Sequence, residues 1–495
     1  MSRRNVRFEE YAASGMVEVT DVGDRLSHIK IKASNDVQPG AQLAPQSRSA
    51  MPRNAASQSH RRNDQYMEEF DSGFEELSRN ARAKEPSDGK TSSSSAKMAK
   101  ENSSARVVGV KESTVRAEVE LAEQSMGSGA FGGAWLTGPK VAEGTVHDVS
   151  AQPLMCMSMS RDQKEIVVGS CDHALYVIPL SATKNARPKT LYTKKYGHAE
   201  WITSVTYLRE DNRILSGGMD SKLCLWDSTG VKCEDLVGHA GSISLVKALG
   251  DGLALSASYD KTIRIWNVGK KASSREREVS TIKAGTAAVM DASTVETSAT
   301  VVTGDRDGCV HLVDLDQAKI LRKHPSAHKG QVTSVLGSQQ PQDDQQRSLF
   351  YTGGQDGIVR VWDTRQKAVV ETLELHIDAR SGKRGAVGFL RDPAGENVLV
   401  TGGADGTVKV LDKRASFGVL HNFTEHMDFI YSLHVAGQLC FSGAGNGMLH
   451  VHDWKQGKLF YGLGANKAAV RAIDTTADKL VAAGDDGSVI MYDMV

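Results

Sequence analysis

Along the last two thirds of the chain, short apolar runs of about six residues alternate with turns built from Gly, Ser, Asp and Asn. The runs are rich in β-branched residues, as in Ile202-Thr203-Ser204-Val205-Thr206-Tyr207, Ile214-Leu215-Ser216 and Leu223-Cys224-Leu225-Trp226. The polar punctuation between them predicts short strands joined by tight turns. Eight of the turns carry Asp or Asn: Asp172, Asp220, Asp260, Asp307, Asp356, Asp405, Asn446 and Asp486. They lie 40 to 49 residues apart. A period in the forties marks a repeat architecture, in which each unit is one small sheet that buries its faces only against neighbouring units.

The clearest unit runs from Gly197-His198 through Ser216, Asp220 and Trp226-Asp227. On these residues the segment 147–495 resembles the WD-repeat family of β-propellers. The resemblance implies that the Gly-His histidine, a hydroxyl on the middle strand, the turn Asp and the Trp of the next strand form a hydrogen-bonded tetrad inside each blade. It gives three full sets: His198, Ser216, Asp220, Trp226; His239, Ser256, Asp260, Trp266; and His328, Thr352, Asp356, Trp362. In the other five units the Trp position holds Ile178, Val313, Leu411, His452 or Tyr492, and the hydroxyl position becomes Val168 and Ala482 in two of them. The implied fold is all-β, a propeller of eight blades, with seven as the alternative because the first unit matches least well. The Tyr492-Asp493 pair ends what the family would make a third strand, so a fourth must come from elsewhere. The apolar stretch 131–146 is the nearby candidate, and closing the ring with it would remove an open sheet edge.

Composition narrows the setting. Forty per cent apolar and 24% charged residues are ordinary for a soluble protein, and 60 basic against 60 acidic residues give formal neutrality, which offers nucleic acid no electrostatic footprint. No apolar run approaches eighteen residues and no signal peptide is evident, so no membrane partner is expected and a cytoplasmic residence is, with cilium, cytoskeleton or nucleus as alternatives. The six cysteines are scattered without a C-x-x-C pair and read as reduced thiols within strands.

Residues 1–130 differ in kind: polar, rich in Ser, Asn and Pro, and poor in large apolar side chains, they predict a flexible N-terminal arm with short binding segments, ahead of a propeller domain at 131–495. Residues 16–31 alternate apolar and polar positions and could add as a strand to another sheet. Residues 64–83 place Tyr66, Phe70, Phe74 and Leu77 at helical spacing, either to enter a partner's groove or to pack on the propeller. Residues 111–124 read as a helix leading into the propeller.

Two short motifs have a functional and a bland reading. Trp362-Asp363-Thr364-Arg365 resembles the W-D-x-R box of propellers that act as substrate receptors on cullin-4 ubiquitin ligases, and Leu411-Asp412-Lys413-Arg414 repeats it imperfectly; alternatively the arginine only pairs with a neighbouring carboxylate. Arg4-Asn5-Val6-Arg7-Phe8 resembles the R-x-V-x-F docking motif of protein phosphatase 1 regulators, a pattern short enough to arise by chance. The run from Gly127 to Gly132 matches G-x-G-x-x-G without the flanking strand and helix a nucleotide loop needs, and Gly89-Lys90-Thr91 has Lys84 where a P-loop needs Gly. No histidine pair has metal-ligand spacing and no nucleophile, base and orienting acid can be assembled, so neither cofactor nor metal nor catalysis is expected. The reading is a non-enzymatic scaffold for other proteins. Insertions at 181–189, 270–278 and 339–347, all on one face, are candidate partner loops, with solvated loops as the alternative.

Overall fold

The computed structural model describes residues 133–494 apart from 182–186, 194, 228–231, 251, 296–298, 339–348 and 378–381. The chain divides into units 1–95 and 96–495, and the described residues all lie in the second. Arg4, Val6, Phe8, Phe70, Phe74 and Leu77, with the three arm segments, lie outside the described residues.

The described residues form eight antiparallel four-stranded sheets, the eight blades the repeat predicts. In chain order, blade 1 is β2–β5 (154–191), blade 2 β6–β9 (202–237), blade 3 β10–β13 (243–282) and blade 4 β14–β17 (289–324). Blade 5 is β18–β21 (332–374), blade 6 β22–β25 (387–423) and blade 7 β26–β29 (430–464). Blade 8 takes β30–β32 (470–493) and completes itself with β1 (Thr145–Asp148), which pairs antiparallel with β32 from Thr145 opposite Met491 to Asp148 opposite Ser488.

The closing strand is therefore the far end of the stretch 131–146 and two residues beyond it. The earlier part instead forms a five-residue helix, α1 (Gly133–Thr137), because the large apolar side chain there has a better place to go. Trp135 is fully buried among Leu439, Phe441, Leu480 and Tyr492 of blades 7 and 8, and its indole Nε1 donates to the Ala477 carbonyl at 3.1 Å. Gly144, at φ +59°, then turns the chain onto β32 where a Cβ would come within 2.9 Å of Ile490, the Met491 carbonyl and Tyr492.

The core lies between blades. Val167 and Leu175 of blade 1 pack with Ile202 and Trp226 of blade 2, Leu223 and Leu225 of blade 2 with Ile243 and Trp266 of blade 3, and so on round to Val481 and Val489 of blade 8 against Leu154 and Ile166 of blade 1. Every first strand carries a register shift at its second residue, among them Thr203, Ser244 and Thr333. A bulged residue leaves the ladder and re-aims its side chain. Here the hydroxyls of Thr203, Ser244 and Thr333 donate to the carbonyls of Ile243, Val289 and Val387 in the next blade, at 2.6, 2.7 and 2.7 Å.

Candidate interaction surface

The tetrads stand at one end of the blades, where the turn Asp of a blade's second hairpin meets the loop entering that blade's own first strand. In blade 2, His198 Nδ1 lies 3.0 Å from Asp220 Oδ1, and its Nε2 lies 2.8 Å from Ser216 Oγ, which also accepts the Trp226 indole N–H at 2.9 Å. Blade 3 repeats this with His239, Asp260, Ser256 and Trp266 at 2.8, 2.7 and 2.8 Å. Blade 5 does so with His328, Asp356, Thr352 and Trp362 at 3.0, 2.8 and 2.9 Å. Burial alone would raise the Asp220, Asp260 and Asp356 carboxyls. The hydrogen bonds from the histidines and from backbone N–H groups outweigh it and hold all three below the usual carboxylate range.

The sequence missed a fourth set. His376 Nδ1 meets Asp405 Oδ1 at 2.9 Å and its Nε2 meets Thr401 Oγ1 at 2.9 Å, with only the indole lacking because Leu411 stands in its place. Leu375 precedes this histidine where blades 2 and 3 have Gly and blade 5 has Ala327, and without the Trp the motif is hidden. A Cβ on Gly218, Gly354 or Gly403 would come within 2.6 Å of the corresponding ring Nδ1, so blades 2, 5 and 6 keep glycine two before the turn Asp, beside their histidine.

Blade 4 inverts that rule. Thr286 stands where those blades have His, and the glycine's place is taken by Asp305, fully buried, whose carboxylate accepts from Thr286 N and Oγ1 at 3.0 and 2.7 Å and from Cys309 N at 2.8 Å. Asp307, which the spacing singles out, is an exposed turn residue. Blade 1 compensates with Ser150 and Tyr176 hydroxyls on Asp172, and blade 8 with Asn466 Nδ2 on Asp486 at 2.9 Å. In blade 7, His426 Nε2 keeps Ser442 Oγ at 2.8 Å, but Asn446 does not reach the ring and His426 Nδ1 has no partner. Its ring stacks on His450 at 4.1 Å, and His452, in the Trp position, packs on Phe423 at 4.2 Å.

Substitutions separate these roles. Asp220→Ala, Asp260→Ala, Asp356→Ala, Asp405→Ala and Asp305→Ala should each lower stability by about 1 to 3 kcal/mol, because each strands buried donors. Asn446→Ala should cost less, and Asp307→Ala should stay within about 0.5 kcal/mol. Denaturant melts that place Asp307→Ala among the damaging changes would refute the assignment of Asp305.

The tetrads are consumed by structure, and other groups surround them at this end. Trp201, Met219, Tyr259, Phe429, Tyr431 and Arg471 are half-buried there. Arg471 lies 4.7 Å over the Tyr431 ring while its Nε donates to Asp485 Oδ1 at 2.7 Å, and Met427, in the loop entering blade 7, is 95% exposed.

The opposite end holds the three insertions. Most of 181–189 and 339–347 falls outside the described residues. The 270–278 insertion is tied down rather than free: Arg277, 7% exposed, binds Glu234 of blade 2 through Nη2 at 2.7 Å and the carbonyls of Asn267 and Gly269 through Nη1 at 3.0 and 2.8 Å. An open depression nearby is lined by Arg161, Asp162, Arg209, Glu210, Asp211 and Asn212.

The W-D-x-R arginine pairs with its own acid. Arg365 Nη2 lies 3.0 Å from Asp363 Oδ2, while Trp362 is committed to the blade 5 tetrad. Arg414 and Asp412 repeat the pairing at 3.3 Å. Toward the axis, the first strands present Lys247, Asp291, Arg391 and His434. Burial lowers Lys247, Arg391 and His434, the last to about 4, and raises Asp291. Lys247 Nζ donates to the Ala292 carbonyl at 3.0 Å and Asp291 accepts from Val335 N at 2.7 Å, so both tie adjacent blades.

Comparison with known proteins agrees with this geometry. The family model "WD domain, G-beta repeat" matches residues 189–227, 230–267 and 319–363, the segments that carry the three complete tetrads. The Saccharomyces cerevisiae guanine nucleotide-binding protein subunit beta is 25% identical over 182 residues, 36% of this chain and 43% of that one. A Drosophila mojavensis ribosome biogenesis protein WDR12 homolog is 26% identical over 188 residues, 34% and 42% of the two chains. The small ribosomal subunit protein RACK1 of Neurospora crassa is 40% identical over 80 residues, 14% and 25%. The chain thus spans less than half the length of these curated relatives. Among solved structures, the designed Ika8 protein covers 71% of this chain and 99% of its own at 21% identity and TM-score 0.57. Saccharomyces cerevisiae Sqt1 gives the same coverage at 13% identity and TM-score 0.60. Chaetomium thermophilum Sqt1, solved bound to the N-terminus of the ribosomal protein L10, gives 15% and 0.59. Five further blades keep the strand order of the three matched repeats, and the chain belongs to the WD-repeat β-propeller family.

Proposed function

We propose that the protein is a non-catalytic scaffold that holds other proteins in an assembly, and that partners dock on the end carrying the turn Asp residues. One observation carries this reading. The histidines, hydroxyls and acids at that end are spent on one another, while half-buried Trp201, Tyr259, Tyr431 and Arg471 remain around them. Trp, Tyr and Arg on a rigid frame are the composition of interaction hot spots. Relatives named as a G-protein β subunit and a small ribosomal subunit protein support a place in an assembly. Six free cysteines favour a reducing compartment such as the cytoplasm.

The test is a combined Trp201→Ala, Tyr431→Ala and Arg471→Ala variant of the full chain, used as bait beside the wild type. With the melting temperature kept, recovery of partners by quantitative pull-down should fall at least about tenfold, since each hot-spot truncation costs about 2 kcal/mol or more. Unchanged recovery would move the docking site to another face. Cullin-4 with its adaptor, protein phosphatase 1, or ciliary and cytoskeletal components among the recovered proteins would select one of the narrower settings.

A further inference from the structure

On the outer half of blade 2, β8 (Lys222–Trp226) and β9 (Cys233–Val237) run antiparallel with Cys224 opposite Asp235 and Trp226 opposite Cys233. This register gathers three groups that sequence spacing leaves apart. The Sγ atoms of Cys224 and Cys233 and a carboxylate oxygen of Asp235 all lie within 4.8 Å of one another. Asp235 Oδ1 stands 3.4 Å from Cys233 Sγ and 3.7 Å from Cys224 Sγ. Its Oδ2 is held separately by Lys222 Nζ at 2.8 Å.

We propose that Cys224, Cys233 and Asp235 form a binding site for a thiophilic divalent cation, zinc foremost, with the fourth position open to water. The distances carry the assignment. With Zn–S near 2.3 Å and Zn–O near 2.0 to 2.2 Å, a tetrahedral centre has S···O edges of about 3.5 Å and S···S edges of about 3.8 Å. The two S···O separations here straddle that edge. Three protein ligands and one open position make an accessible site rather than a closed structural one.

A disulfide suits the same residues less well. Cys224 and Cys233 are diagonal, not directly opposed, across the strand pair. Diagonal neighbours have Cα atoms about 7 to 8 Å apart, beyond the span of about 4.4 to 6.8 Å that a disulfide bridges. An ion between the sulfurs removes that mismatch. Lys222 completes the arrangement in two ways: it fixes the carboxylate so that Oδ1 faces the sulfurs, and its charge offsets the surplus negative charge of two thiolates and a carboxylate around a divalent ion. Thiols must shed their protons to bind a metal, so binding weakens as pH falls.

The experiment uses the full chain, reduced and metal-free, titrated with Co²⁺ and Cd²⁺ as spectroscopic probes and with Zn²⁺ against a chromophoric chelator. The expected result is one equivalent per chain with a thiolate-to-metal charge-transfer band. Cys233→Ser should abolish the band. Asp235→Asn should weaken Zn²⁺ at least about tenfold and Lys222→Met by about tenfold, as loss of a group orienting a ligand does. Cys233 and Asp235 sit on the outer strand, so these variants should fold, which an unchanged melting temperature confirms; Cys309→Ser is the control and should leave binding intact. No charge-transfer band, a band that persists in Cys233→Ser, or a Cys224–Cys233 disulfide in protein purified without reductant would each overturn the site.

Discussion

Replacing Trp135 by Ala should destabilise the propeller by about 3 to 5 kcal/mol, the range for truncating a large buried aromatic side chain. The indole is fully buried, meets Phe441 edge-on at 5.8 Å and donates to the Ala477 carbonyl, so the change opens a cavity and removes that hydrogen bond. The cost should fall on blades 7 and 8, which hydrogen exchange can localise. A chain cut to begin at Ser150 loses both Trp135 and β1, exposing the whole edge of β32, and should aggregate where a chain beginning at Leu121 stays monomeric. Equal solubility and equal melting temperature for the two would show that β1 does not close the ring.

Acid should unfold the protein through its histidines before its carboxylates. Burial pushes His426 down to about 3, helped by the neighbouring His450 and His452, and pushes His452 down to about 3, helped by His450. Glu425 lies 3.3 Å from His452 Nε2, but its side chain is 36% exposed and too wet to offset that burial. Both folded-state values lie below the unfolded value of about 6.5, so the unfolded chain takes up protons that the folded chain refuses. The stability these groups allow is full above about pH 6.5 and is lost as pH falls from there toward 3. With a slope that reaches about 1.4 kcal/mol per pH unit for each group once the unfolded ring is protonated, the pair removes about 3 kcal/mol between pH 6.5 and 5. The depressed turn carboxylates add their loss only below about pH 4, where the unfolded chain begins to protonate them. The melting temperature should therefore drop by about 5 °C between pH 6.5 and 5. His452→Phe, which keeps the packing on Phe423, should take away about half of that drop. A melting temperature flat from pH 7 to 5 would contradict the burial of these rings.

The repeat made the fold legible because its punctuation is local: a turn Asp, then a left-handed residue, then a strand. That left-handed residue follows the turn Asp or Asn in every blade, as His173, Ser221 and Lys261 in blades 1 to 3 and as Gly in the other five. The closing strand was legible only in outline. Nothing local distinguishes Thr145–Asp148 from the residues before it, and what selects it is an edge of β32 that exists only in three dimensions. The tetrads of blades 2, 3 and 5 could be read because side chain and spacing both hold. His376 escaped because Leu375 stands before it and Leu411 replaces the Trp that completes the pattern, and Asp305 because a blade without His reuses the space of a ring. Composition likewise does not reveal that Arg277 anchors the 270–278 insertion to Glu234 of blade 2.

Closure by the two ends also sets a schedule for the growing chain. Trp135 and the carbonyl it binds are 342 residues apart. At about 5 to 20 residues per second, a ribosome needs roughly 17 to 70 s to make that distance. Throughout that interval α1 and β1 have been made but have no blade to join, and seven blades can form while the eighth waits. A nascent chain of this protein therefore carries an unsatisfied apolar anchor for about a minute, a period in which a holding chaperone, or the first partner to arrive, meets it before its own last strand does.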